Sequence, residues 1–202
     1  MKRAVLTSFA DLLAVTAALV LAPSIAFAHT GHADANGLVH GFIHPATGID
    51  HVLAMIAVGV LAAQLGGRAL WLVPLSFVAV MAFAGALGMA GIPLPITEVG
   101  IALSVIVLGL AIAFSLKPST VAAMALVGFF ALFHGYVHGA EMPGGMSAFS
   151  YAAGFIVATA LLHAIGVGLG LLFGFEGGRF GRRVVQAGGC AIALFGAVIL
   201  VS

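Results

Sequence analysis

Charge is what this chain has least of. Of its 202 residues only 7 are Lys or Arg and 6 are Asp or Glu, 6% in all, while 63% are hydrophobic. A soluble domain carries roughly 25% charged residues. A chain so poor in them cannot clothe a globular surface against water, so lipid is its expected solvent. Cysteine is nearly absent as well. The single Cys190 excludes a disulfide framework and a thiolate metal cluster. The two lysines, Lys2 and Lys117, follow no glycine-rich phosphate loop, so the chain brings no ATPase of its own. A net charge of +1 without any basic run makes nucleic acid an unexpected partner. There is no His-Glu-x-x-His helix for an intramembrane metalloprotease, and the chain is not expected to be an enzyme.

What is present begins with a leader. Lys2 and Arg3 precede an apolar stretch over 12–21, and Ala26-Phe27-Ala28 offers small residues for cleavage. Residues 1–28 therefore read as a secretory signal peptide, and 29–202 as one mature transmembrane domain starting at His29. The competing reading is an uncleaved first span, against which Asp11 and the short apolar region argue. Six apolar segments follow, over 45–65, 69–91, 97–116, 119–139, 147–175 and 184–201. About 20 residues of helix cross the hydrocarbon core, so the expected fold is all-α, a polytopic bundle of six transmembrane helices. Export of residue 29 puts the first, third and fifth loops in the cytoplasm. Arg68, Lys117, and Arg179, Arg182 and Arg183 occupy those loops, whereas the loops around Pro93 and Pro143 hold no Lys or Arg. Positive residues stay inside, so both mature termini are expected on the periplasmic side of a bacterial inner membrane.

Glycine accounts for 28 residues. Gly166, Gly170 and Gly174, and likewise Gly135 and Gly139, recur every fourth position, a spacing that lets helices approach closely in lipid. This is a packing feature without chemistry of its own.

The chemistry lies in eight histidines and two well-placed carboxylates. The first span opens His44-Pro45-Ala46-Thr47-Gly48-Ile49-Asp50-His51. On one continuous helix, with Pro45 in its first turn, His44 and His51 would share a face across Gly48, with Met55 a turn deeper. The fourth span ends with His134, His138 and Glu141, spaced four and then three apart, a second stripe if the helix persists. A carboxylate at the bilayer centre costs on the order of 2.5–3.5 kcal/mol, and less toward the interface. With no Lys or Arg in any mature span, the partners left for Asp50 and Glu141 are protonated histidine or a bound cation. Imidazole with carboxylate suits Ni2+, Co2+ or Zn2+, whereas Mg2+ and Ca2+ call for oxygen alone. The bland alternatives are an interfacial histidine cap for the first group and helix-bridging hydrogen bonds for the second. His163 alone in the fifth span reads first as a packed histidine, and His29, His32 and His40 as a tail that is either solvated or metal-gathering. Glu98 behind Thr97 reads as helix N-terminal capping.

The strings HPATGIDHVLAMIAVG and FHGYVHGAEMP resemble the two histidine motifs of the HupE/UreJ family, and the resemblance extends over nearly the whole chain. It implies a nickel transporter, cobalt in some members, accessory to hydrogenase or urease maturation. It also implies metal contact by His44, Asp50 and His51 in the first motif and by His134, His138 and Glu141 in the second. The reading reached is a secondary or facilitated permease for Ni2+, and for Co2+ where the family's wider range applies. The ion is its transported substrate, no cofactor is permanently bound, the bilayer is its partner, and self-association into a homo-oligomer is left open. The alternative is a membrane redox protein with paired axial histidines on haem, which gives no reason for the carboxylates.

Overall fold

A computed structural model describes residues 32–202, with backbone alone for 32–35, 175 and 176. Residues 1–28, expected to be a signal peptide, and His29 lie outside the described residues. Seven α-helices follow one another: α1 His32–Thr47, α2 Ile49–Leu65, α3 Ala69–Met89, α4 Thr97–Ala113, α5 Thr120–Ala140, α6 Ala148–Leu171 and α7 Gly178–Val201, with one wider π turn, Leu172–Glu176, closing α6. There is no strand among the described residues. Their ends have local causes. The Ser119 and Ser147 hydroxyls accept the Ala122 and Ser150 amides and so begin α5 and α6, while left-handed Gly66 stops α2.

The helices α3, α5, α6 and α7 are each long and apolar enough to cross a membrane. Helix α4 is apolar but has 17 residues, about 25 Å at 1.5 Å per residue. The expected first span differs more. Helices α1 and α2 are long enough to cross only together, and they meet at an 85° bend. Gly48 at the break is extended, with φ −97° and ψ 113°, and Pro45 sits in the last turn of α1 instead of opening a helix. A proline there removes a helical N–H and crowds the carbonyl four residues back. Thr47 adds a side-chain competitor by donating its hydroxyl to the His44 carbonyl at 2.7 Å. Helix α1 instead lies over the first turns of α6, with Gly41 against the Tyr151 carbonyl and Gly154 against that of Leu38.

The chain is a multi-pass membrane protein, and its packing is of the lipid kind. Large apolar side chains face outward on α3 and α7, among them Trp71, Phe83, Leu194 and Val198. Association within lipid draws on dispersion, roughly 0.1–0.2 kcal/mol per pair of heavy atoms, so it requires close contact along whole helices. Glycine supplies that. A Cβ on Gly166 would strike the Ile56 carbonyl, and one on Gly139 the Gly85 carbonyl, which pins α6 to α2 and α5 to α3. Gly109 and Gly189 do the same between α4 and α7. Gly174, the third member of the expected stripe, has nothing within 4 Å among the described residues and packs against none of their helices. Helix α2 runs through the centre, touching α3, α4, α6 and α7, and its Met55, Val58 and Leu61 are wholly buried.

Candidate metal site

Three helix ends meet at the end of the bundle opposite Arg68 and Lys117. The 85° bend delivers His44 from the last turn of α1, and Asp50 and His51 from the first turn of α2. Helix α5 brings His138 in its last turn and stops at Ala140, leaving Glu141 as the cap just beyond it. His44 and His51 do not share a face of one continuous helix, because the helix breaks at Gly48. The residues still converge, since the bend folds α1 back over the bundle. His44 Nε2 stands 3.2 Å from Glu141 Oε2. One ligand atom each from His44, His138 and Glu141 lie within 4.8 Å of one another. An open cavity of about 220 Å³ is lined by these three, by Asp50, His51 and Glu98, and by Thr47, Gly48 and Val137. None of the nine is Lys or Arg, so three carboxylates set the sign of its field.

Hydrogen bonds decide which ring nitrogens are free. Asp50 Oδ1 accepts both the His51 backbone N–H and the His51 ring at Nδ1, each at 2.8 Å. A carboxylate only accepts, so Nδ1 carries the proton and Nε2 keeps its lone pair. Gly48 makes this pairing fit: a Cβ there would stand 2.8 Å from Asp50 Oδ1 and 2.9 Å from His51 Nδ1. His134 is set the same way from the other nitrogen. The single hydroxyl proton of Ser104 goes to the Ile101 carbonyl at 2.6 Å, so its oxygen accepts from His134 Nε2 at 2.8 Å. The lone pair then falls on Nδ1. His51 Nε2, His134 Nδ1 and both nitrogens of His138 are buried without a hydrogen-bond partner among the described residues. Leaving a buried polar atom unpaired costs about 1–3 kcal/mol, and a ligand reaching these four nitrogens would offset it. Carboxylate–imidazole pairing of this kind orients metal-binding histidines.

The rings form a file. His44 lies 4.8 Å from His138, His138 lies 4.3 Å from His51, and His51 lies 4.8 Å from His134, between centroids. His40, one turn back on α1, adds a ring 6.2 Å from His44. All six expected residues therefore fall in one continuous cluster, His134 deepest at 0% exposure and Glu141 outermost with its side chain 56% exposed. Met55 is buried in the apolar core instead of lining the cavity.

Two residues carry more than their sequence context implied. Glu98 makes no side-chain cap on α4. It faces the cavity, placed there by Ile96, whose left-handed φ of 58° turns the chain into the helix. A β-branched residue rarely adopts that conformation, so nothing in the sequence signalled this turn. Tyr151, buried on α6, donates its hydroxyl to the His138 carbonyl at 3.2 Å and braces the end of α5.

The comparisons with known proteins fit this arrangement. The family model described as HupE / UreJ protein matches residues 17–199. The chain belongs to the HupE/UreJ family. Protein HupE of Rhizobium leguminosarum bv. viciae is 50% identical to it over 187 residues, covering 92% of this chain and 95% of that one. No solved structure matches the chain. As a HupE/UreJ member it carries both histidine motifs at one end of its bundle, on helices far apart in sequence.

Proposed function

We propose that this HupE/UreJ protein is a permease of the bacterial inner membrane that moves Ni2+, and Co2+ of similar ligand preference, toward the cytoplasm for hydrogenase or urease maturation. The chain crosses the bilayer six times after its signal peptide is removed, with α1–α2 as a broken first crossing and α4 as a short one. Both mature ends are periplasmic, because the five mature basic residues fall at one end of the bundle. The cavity is then the periplasmic vestibule. Broken helices at ion sites are a recurrent device of secondary transporters.

The observation that carries this reading is the cavity itself: three carboxylates and three imidazoles around about 220 Å³, with no cationic side chain. Glu98, Glu141 and Asp50 draw a divalent ion in, and His44, His138 and Glu141 take it first. Asp50 holds His51 with its Nε2 lone pair presented, and Ser104 does the same for His134 Nδ1. The ion exchanges water for nitrogen as it passes to His138, His51 and His134. No thiolate is present to trap it, so release stays accessible. Haem ligation fits this geometry poorly, because axial imidazoles must stand on opposite faces of a flat macrocycle and these rings touch edge to face.

Uptake of radiolabelled nickel into cells expressing wild type, Asp50→Asn and His51→Ala, with expression matched, tests the reading. The wild type should accumulate the ion and both variants should lose about 10–100-fold. Equal uptake by all three would remove the assigned site.

A further inference from the structure

The file of rings does not stop at His134. The Phe77 ring on α3 lies 5.7 Å from the His134 ring and 5.1 Å from that of His163, edge to face with the latter. His163 is 2% exposed, and neither of its ring nitrogens has a hydrogen-bond partner among the described residues. It lies beside Gly59, since a Cβ there would strike the His163 carbonyl. Gly59 is eight residues along α2 from His51, about 12 Å deeper into the bundle. One turn nearer the vestibule, Thr159 donates its hydroxyl to Met81 Sδ at 3.6 Å. That contact ties α6 to α3 and holds the two rings in register. Past Gly59 by five more residues, Gln64 keeps its side-chain carbonyl buried and unpartnered, while its amide donates to the Ile112 carbonyl at 3.2 Å.

A packing role does not account for His163. Leucine or phenylalanine would fill the same space between α6 and α3 without stripping water from two nitrogens. Resting on the permease reading, we propose that His163 is a transit ligand for the divalent ion in the cytoplasmic half of the bundle. The ion reaches it from His134 past the Phe77 ring, and leaves toward the Gln64 carbonyl. The imidazoles then fall into an outer cluster that captures and a single inner ligand that passes the ion on, with Phe77 a neighbour of both His134 and His163. A lone imidazole holds a borderline divalent ion weakly, which suits a step that must release.

The test uses the full-length protein in proteoliposomes, reading initial Ni2+ uptake, equilibrium Ni2+ binding and the Co2+ absorption spectrum. His163→Leu should cut the uptake rate about tenfold or more, as loss of a ligand does, while binding at the vestibule stays within about threefold. His163→Cys should recover uptake, shift it toward Cd2+, and show a thiolate-to-cobalt absorption band, because a soft ligand then stands on the path. Wild-type uptake by His163→Leu overturns the proposal. So does loss of uptake in both variants with no cobalt band in His163→Cys, the mark of a structural role. If His163→Leu fails to fold, His163→Gln takes its place in the same comparison. A wild type that takes up no nickel overturns the permease reading, and this one with it; normal wild-type uptake with an indifferent His163 overturns this one alone.

Discussion

Glycine does opposite work in two regions of this molecule. Between α4 and α7, and between α2 and α6, it lies inside helices and brings backbones into contact, with no polar chemistry attached. At position 48 it ends a helix, and polar groups gather on the break: Asp50, His51, His44 and, from α5, His138 and Glu141. The difference lies in what surrounds each glycine. Gly109 faces the Ala193 backbone of another helix, so its missing side chain is filled by a neighbour. Gly48 faces the Asp50 carboxylate and the His51 ring two and three residues on, so its missing side chain makes room for their hydrogen bond. One residue type thus builds the frame and opens the site.

This contrast can be broken in order of expected effect. Gly109→Val should be the most damaging to the frame. A Cβ there would lie 2.5 Å from the Ala193 amide nitrogen, and overpacking of this kind costs about 1–3 kcal/mol, read as a lower unfolding temperature in detergent. Asp50→Asn should show the reverse pattern, with nickel affinity down about 10–100-fold by loss of the group that orients His51, and an unfolding temperature unchanged. Gly48→Ala joins the two regions. Its methyl would press on the Asp50–His51 pair, so nickel affinity should fall about tenfold, the lower end of what misorienting a ligand costs, with little loss of stability; a large loss of stability would place Gly48 in the frame instead. Gly174→Ala should do least. With open space around it, its change in stability should stay within about 0.5 kcal/mol, although its spacing from Gly170 is that of a packing glycine.

Several of these residues are legible in the sequence alone. The four-residue spacing of Gly166 and Gly170 announces a helix contact, and it is one. Gly174 extends the pattern without packing anything, because periodicity reports the face of a helix and not whether a neighbour is there. The motif from His44 to His51 announces a cluster, but 3.6-residue periodicity assigns it to one helix. Gly48 overrides that with an extended backbone, a conformation available to any helix ending and invisible to spacing. Glu98 reads as a cap because its neighbours are Pro95 and Thr97. The left-handed turn at Ile96 and the approach of α4 to α2 make it a wall of the cavity instead.

The amino-acid sequence alone determined an all-helical chain that lives in lipid, the end of the bundle that carries its basic residues, and the residue types of the site. Those follow from composition, length and charge placement, which are local properties. Only the tertiary structure decided that the first motif is bent by 85°, which nitrogens of His51 and His134 are free, and that Phe77 neighbours both His134 and His163. The bend and the His51 nitrogen are set by neighbours within a few residues, whose backbone course spacing does not reveal. The His134 nitrogen and the place of Phe77 depend on contacts between residues tens of positions apart, such as Ser104 with His134, and no pattern along the chain records which helices will touch.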